Sequence, residues 1–228
     1  MSFDFSPLAL LNLVFYLLIV LFSLSVHESA HAWTAWRLGD PTARMLGRVT
    51  LNPIKHVDPV GTLLLPVLLS LAGGPVFGWA KPVPVIRRNF KHLRRDEALV
   101  AAAGPASNLI LAAAVSVALV ALRLVLGPAV LETQLRETHS AVWAVFQMGV
   151  VNLQLAAFNL IPVPPLDGSW IFGALLPRAV AGFYEQVRGL GPLLLVLVFM
   201  TGVSSWVLGP ILNVLILLFY ALPLGLFG

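Results

Sequence analysis

Cysteine is absent from this 228-residue chain, so it can form neither a disulfide nor a thiolate metal site. Charge is scarce as well: Asp, Glu, Lys and Arg make up 11% of residues, against roughly 25% in soluble domains. With five His and ten acidic residues in all, a metal would have to be held by imidazole and carboxylate from a small stock. Apolar residues fill the rest, at 59% of the chain with a mean hydropathy of +0.92. That balance cannot cover a surface facing water, and the class it implies is an all-α polytopic membrane protein. The start, Met1-Ser2-Phe3-Asp4, lacks the basic residues of a signal peptide, so the first apolar run reads as a retained span. The net charge of +4 does not point to nucleic acid, because the basic residues lie beside apolar segments, as in positive-inside loops.

A spanning helix needs roughly 20 apolar residues. Clear candidates run from about Leu8 to beyond His31, from Leu99 to Leu126 and from Ala141 to Leu160, with a final hairpin of Leu190–Val207 and Pro210–Leu226. Val60–Leu71 is short for a crossing and fits a re-entrant or interfacial helix. Trp79 to Val85 alternates and is punctuated by proline, which suggests a small β-hairpin or edge strand. The expectation is about five to six transmembrane helices in one membrane-embedded domain over 1–228, with a catalytic core of about 8–176 and a C-terminal helical hairpin of about 190–226. Gly127–Thr138 and Pro177–Arg188 read as polar loops. Ten of the fourteen Lys and Arg fall between Arg37 and Arg95; by the positive-inside tendency that region is cytoplasmic and the N-terminus lies outside.

Near the end of the first span stands His27-Glu28-Ser29-Ala30-His31. On a helix, residues i and i+4 share a face, so both imidazoles can reach one metal ion, with Glu28 beside them to take a proton from an activated water. The bland alternative is two helix histidines bonded to nearby backbone. In a hydrocarbon-facing helix, two His and a Glu would cost several kcal/mol unless they shared a partner. A catalytic zinc site usually takes three protein ligands. Asp167 is the only acid between Glu137 and Glu185 and sits in a Pro-rich break in an apolar segment, which makes it the candidate third ligand. Pro-Leu-Asp-Gly is also a plausible turn, and a turn could aim the carboxylate. His56 with Asp58 reads as part of a solvated loop, and His139 as part of an outer loop. Asn108 and Asn159 could be interhelical hydrogen bonds that aid packing, or could hold a substrate backbone. Gly104-Pro105 could be a packing notch.

Three blocks in order carry a family resemblance: His27 to His31, Ala103-Gly104-Pro105-Ala106-Ser107-Asn108, and Asn159 to Gly168, which matches NxxPxxPxDG at every fixed position. The chain resembles the site-2 protease family of intramembrane zinc metalloproteases, over about Phe15 to Gly173. The stretch Gly47 to Gly61 is similar to a compact prokaryotic branch without a PDZ domain. The resemblance implies one zinc ion on His27, His31 and Asp167, Glu28 as general base, and Asn159 and Asn108 as substrate-positioning residues. It also implies membrane-spanning protein substrates and a multi-pass place in a prokaryotic cell membrane, with the site toward the cytoplasm. The alternatives are a membrane metal-ion transporter or sensor using the same ligands, and an inactive relative that only binds partners.

Overall fold

The computed structural model describes residues 7–71, 79–137 and 140–225. Ten α-helices are present among them: α1 Pro7–Arg37, α2 Thr42–Met45, α3 Leu65–Leu71, α4 Leu93–Leu126, α5 Pro128–Arg136, α6 Ala141–Asn159, α7 Asp167–Leu175, α8 Arg178–Arg188, α9 Gly191–Met200 and α10 Val203–Ile216. Wider π-type turns precede α3, at Pro59–Leu64, and follow α10, at Leu217–Ala221. No strand occurs among the described residues. Three helices, α1, α4 and α6, are long and apolar enough to cross a membrane. At 34 residues, α4 is about 51 Å long and overreaches a hydrocarbon layer of about 30 Å; its first turn, with Arg94, Arg95 and Asp96, extends beyond it. Large apolar side chains on the outside, such as Leu124 at 82% exposed and Trp206 at 86%, suit lipid rather than water.

α4 is the central element, packing most extensively against α6 and α1 and then against α7. Away from the His-Glu motif the core is nearly dry: Ala112, Val115 and Leu119 of α4 meet Leu131 of α5, Val142 and Leu153 of α6, and Tyr220 and Leu224 near the C-terminus. Gly149 on α6 admits the Tyr220 hydroxyl, which a Cβ there would meet at 2.0 Å, and that hydroxyl donates to the Ala112 carbonyl at 3.1 Å.

Several expectations change. Gly127–Thr138 is not simply a loop: Gly127 turns at φ +81 and Pro128 opens α5, whose Leu131 is buried in the core. Pro177–Arg188 likewise forms α8, with Tyr184 Oη donating to the Pro162 carbonyl at 2.8 Å. In both segments polar composition hides an apolar face. The C-terminal hairpin breaks at Gly202, with φ +71, and Pro210 lies inside α10. Trp79 to Val85 is extended but joins no ladder among the described residues; 72–78, the rest of the expected hairpin, and His139 lie outside them.

Where α1 ends, Asp40 acts as a staple. Fully buried, it accepts hydrogen bonds from Thr42 N and Oγ1, Ile86 N and Asn89 Nδ2 at 2.5 to 3.1 Å. Burial opposes its ionisation, but these donors outweigh that and hold its carboxyl below the usual carboxylate range. The stabilisation is therefore complete above the unfolded pKa of about 4 and is lost as pH falls through the lower folded value. Asp40→Ala removes the shared acceptor of donors on Thr42, Ile86 and Asn89 and should cost about 3 kcal/mol. Thermal unfolding in detergent should show a lowered midpoint at neutral pH and a smaller loss between neutral and acid than in the parent; an unchanged midpoint would contradict the assignment.

Candidate metal centre

The candidate metal centre is assembled where α1, α4 and α7 meet. One turn of α1 places His27 and His31 on the same face, both buried, and α7 opens with Asp167. The two Nε2 atoms are 3.0 Å apart, and Asp167 Oδ2 lies 3.2 Å from the first and 3.3 Å from the second. Tetrahedral ligands on bonds of about 2.0–2.1 Å sit about 3.3 Å from each other, so the three atoms are spaced as corners of one coordination tetrahedron. Among the described residues this is the cluster of three such groups that could hold a metal ion.

Hydrogen bonding on the far side of each ring fixes which nitrogen is bare. His31 Nδ1 faces the Val100 carbonyl at 2.7 Å, which can only accept, so Nδ1 carries the proton and Nε2 a lone pair. His27 Nδ1 faces Asn108 Oδ1 at 2.6 Å, and this orientation is set from a distance. The Met148 carbonyl takes a hydrogen bond from Asn152 Nδ2 at 2.8 Å; Asn152 Oδ1 must then receive Asn108 Nδ2, at 2.7 Å, which turns Asn108 Oδ1 to the imidazole. Asn152 Nδ2 also reaches Ser23 Oγ at 2.9 Å. Two imidazole lone pairs and a carboxylate oxygen thus converge, and the buried Asp167 Oδ2 has no hydrogen-bond partner. Such a set repels itself unless a cation shares it, and two neutral imidazoles with one carboxylate suit Zn²⁺.

Backbone shape completes the arrangement. A Cβ on Gly104 would lie 2.3 Å from His31 Nε2 and 2.6 Å from His27 Cε1, so the notch in α4 is the seat of the two imidazoles. Gly168 packs so closely on the end of α6 that a Cβ would meet the Leu160 carbonyl oxygen at 2.2 Å. Two arginines grip α7 by its carbonyls: Arg188 at Ser169 (2.9 Å) and Arg94 at Gly173 and Leu176 (2.9 and 2.5 Å). Arg188 also stacks 3.9 Å from the Trp170 ring, and together these contacts fix the helix whose first residue is Asp167.

Glu28 is half-buried on the same turn of α1. Asn108 is fully buried with its amide engaged by His27 and Asn152, while Asn159 is half-buried at the end of α6 and donates to the Leu155 carbonyl at 3.0 Å. The reading of His56 as solvated needs correction: it is 2% exposed, because the 79–86 segment folds over it. Asn152, Val100 and Arg94 are not singled out by the sequence; the first shows only as an uncommon amide in an apolar span.

Comparison with known proteins points to a zinc-dependent family. The model of peptidase family M50 matches residues 15–200, and the chain belongs to that family, the site-2 type of zinc metalloprotease. A Bacillus subtilis relative named "Putative zinc metalloprotease YwhC" is 42% identical over 214 residues, covering 92% of this chain and 90% of its own. Proteins named Rip2, in the same terms, are 36% identical in Mycolicibacterium smegmatis (75% of this chain, 59% of theirs) and 34% in Mycobacterium tuberculosis strain H37Rv (83% and 68%). No solved structure matches. Neither the family nor these relatives support the metal-transporter alternative.

Proposed function

We propose that this protein is an endopeptidase that hydrolyses peptide bonds of membrane-spanning substrates within or near the bilayer. The observation that carries the reading is the convergence of His27, His31 and Asp167 at tetrahedral spacing, beside Glu28 and within a bundle of apolar helices. His27, His31 and Asp167 would hold zinc, which when bound would supply a water of lowered pKa and polarise the scissile carbonyl. Glu28 takes the proton from the attacking water and later passes one to the leaving amine. Asn108 holds His27 in its ligating tautomer, and Asn159 stands near enough to the break at Pro162–Pro165 to steady substrate entering there; water reaches the site along the same break.

A substrate helix hides its carbonyls in its own hydrogen bonds and has to unwind before attack. The 79–86 segment offers an extended partner: Val83 and Val85 backbone groups carry no hydrogen bond among the described residues, so a strand laid beside them could recover bonds lost on unwinding. In this reading the chain is a multi-pass protein of a prokaryotic cell membrane with about five to six crossings. The 59–71 helix is re-entrant, since its 13 residues reach only about 20 Å, and the basic loops put the site on the cytoplasmic side.

The test is metal removal. Purified protein in detergent should cut a transmembrane peptide, lose that activity to a strong chelator and regain it on adding one equivalent of zinc. Cleavage that continues in protein shown by elemental analysis to be metal-free would overturn the reading.

A further inference from the structure

A second group of buried polar side chains borders the Glu28 side of the site. Arg48, 5% exposed, and His56 both come from the stretch between α1 and α3. Arg48 Nη2 donates to the Lys81 carbonyl at 2.5 Å and Nη1 to the Pro82 carbonyl at 3.2 Å. His56 Nε2 donates to the Thr50 carbonyl at 2.8 Å. That carbonyl also receives the hydroxyl of Ser29, the residue after Glu28, while Thr50 N donates back to Ser29 Oγ at 3.0 Å. The His56 carbonyl accepts from Lys81 N at 2.8 Å. The Glu28 turn of α1, the 48–56 loop and the 79–86 segment are therefore one hydrogen-bonded body.

Two atoms in that body are anomalous. Arg48 Nε and His56 Nδ1 are buried and have no hydrogen-bond partner among the described residues, an arrangement that costs stability. Arg48 forms no ion pair among the described residues. Burial opposes its charge, and the carboxylate that favours it is that of Glu28. Burial, together with the Arg48 charge, outweighs the Thr50 hydrogen bond and holds His56 below the ordinary histidine range, so the imidazole adds no second cation.

We infer that Arg48 is a positioning residue for hydrolysis: its guanidinium forks across the Lys81 and Pro82 carbonyls and, through the Thr50–Ser29 pair on the same loop, ties the extended 79–86 segment to the turn that carries Glu28. The inference rests on Glu28 as general base and on the 79–86 segment as the place where substrate pairs. Arg48→Lys keeps a charge but cannot fork across two carbonyls, and Arg48→Gln loses both the charge and the fork.

The experiment measures kcat and KM for a transmembrane peptide in detergent, with zinc content on the same samples and Glu28→Gln as control. Arg48→Lys and Arg48→Gln should each raise KM at least about fivefold with kcat within about threefold of the parent, both with one zinc per chain. Parent KM in Arg48→Gln, or a loss of kcat with KM unchanged in both variants, would overturn the inference; so would zinc loss in both. If Arg48→Gln does not fold, Arg48→Lys decides alone, since a fall in kcat with KM unchanged contradicts the clamp. Parent-rate cleavage by Glu28→Gln would instead overturn the assignment of the base, which keeps the two failures apart.

Discussion

Glu28→Gln should yield a protein that takes up one zinc ion per chain and cleaves its substrate about 10³-fold more slowly than the parent. The size of the effect follows from what the amide cannot do. It keeps the shape of the side chain but will not accept the proton of the attacking water, and so cannot return it to the leaving amine. Zinc uptake should survive, because the ligand atoms belong to His27, His31 and Asp167 and are oriented by Asn108 and Val100, with Glu28 taking no part. Elemental analysis and a cleavage assay on the same sample read both halves of the prediction. Proteomics of membrane fragments from cells carrying parent or variant would then identify the substrates. Cleavage at the parent rate would remove Glu28 from the mechanism; loss of zinc would show that it supports the ligands.

Gly104→Ala should lower zinc affinity about 10- to 100-fold, the range seen when the support of a ligand is disturbed. The new methyl would sit 2.3 Å from His31 Nε2 and 2.5 Å from its Cε1, well inside contact distance, and the rings cannot simply step aside. His31 is tied to Val100 and His27 to Asn108, both on the same helix as Gly104, so movement breaks the hydrogen bond that sets the tautomer. Helix propensity runs the other way, favouring Ala over Gly by about 1 kcal/mol. A competition titration against a chelator should therefore show weakened zinc binding in a protein whose metal-free form is no less helical. Parent affinity in the variant would mean that α4 can yield at the notch.

The long elements are legible in the sequence because lipid demands unbroken apolar runs, and α1, α4 and α6 follow them within a few residues at most ends. The candidate ligand set stands out for the opposite reason: in a chain this poor in His and acid, an Asp in a broken apolar segment is conspicuous, and the fold brings it to His27 and His31. What escapes is whatever packing decides. α5 and α8 look like polar loops until their apolar faces find a partner. His56 looks solvated because nothing local says that 79–86 will cover it, and Arg48 does not stand out at all. Asn108 has a hydrogen bond between helices, as a packing amide would, and the group it bonds is a metal ligand's ring; from the sequence those two descriptions compete. Gly104 is legible as a notch, but what fills it emerges only when α1 is laid against α4.

The ligands of the centre lie far apart along the chain, on α1 at residues 27 and 31 and at the start of α7 at residue 167. An ion held by all three closes a loop of 140 residues between His27 and Asp167, and closing loops of that size restricts an unfolded or partly opened chain by several kcal/mol. Zinc held by all three would thus cross-link α1 to α7 as well as serve as a reagent. Without it, Arg94, Arg188 and the close seat of Gly168 are left to hold α7 in place, and the first part of the molecule to loosen should be the Pro162–Leu166 hinge that carries the third ligand.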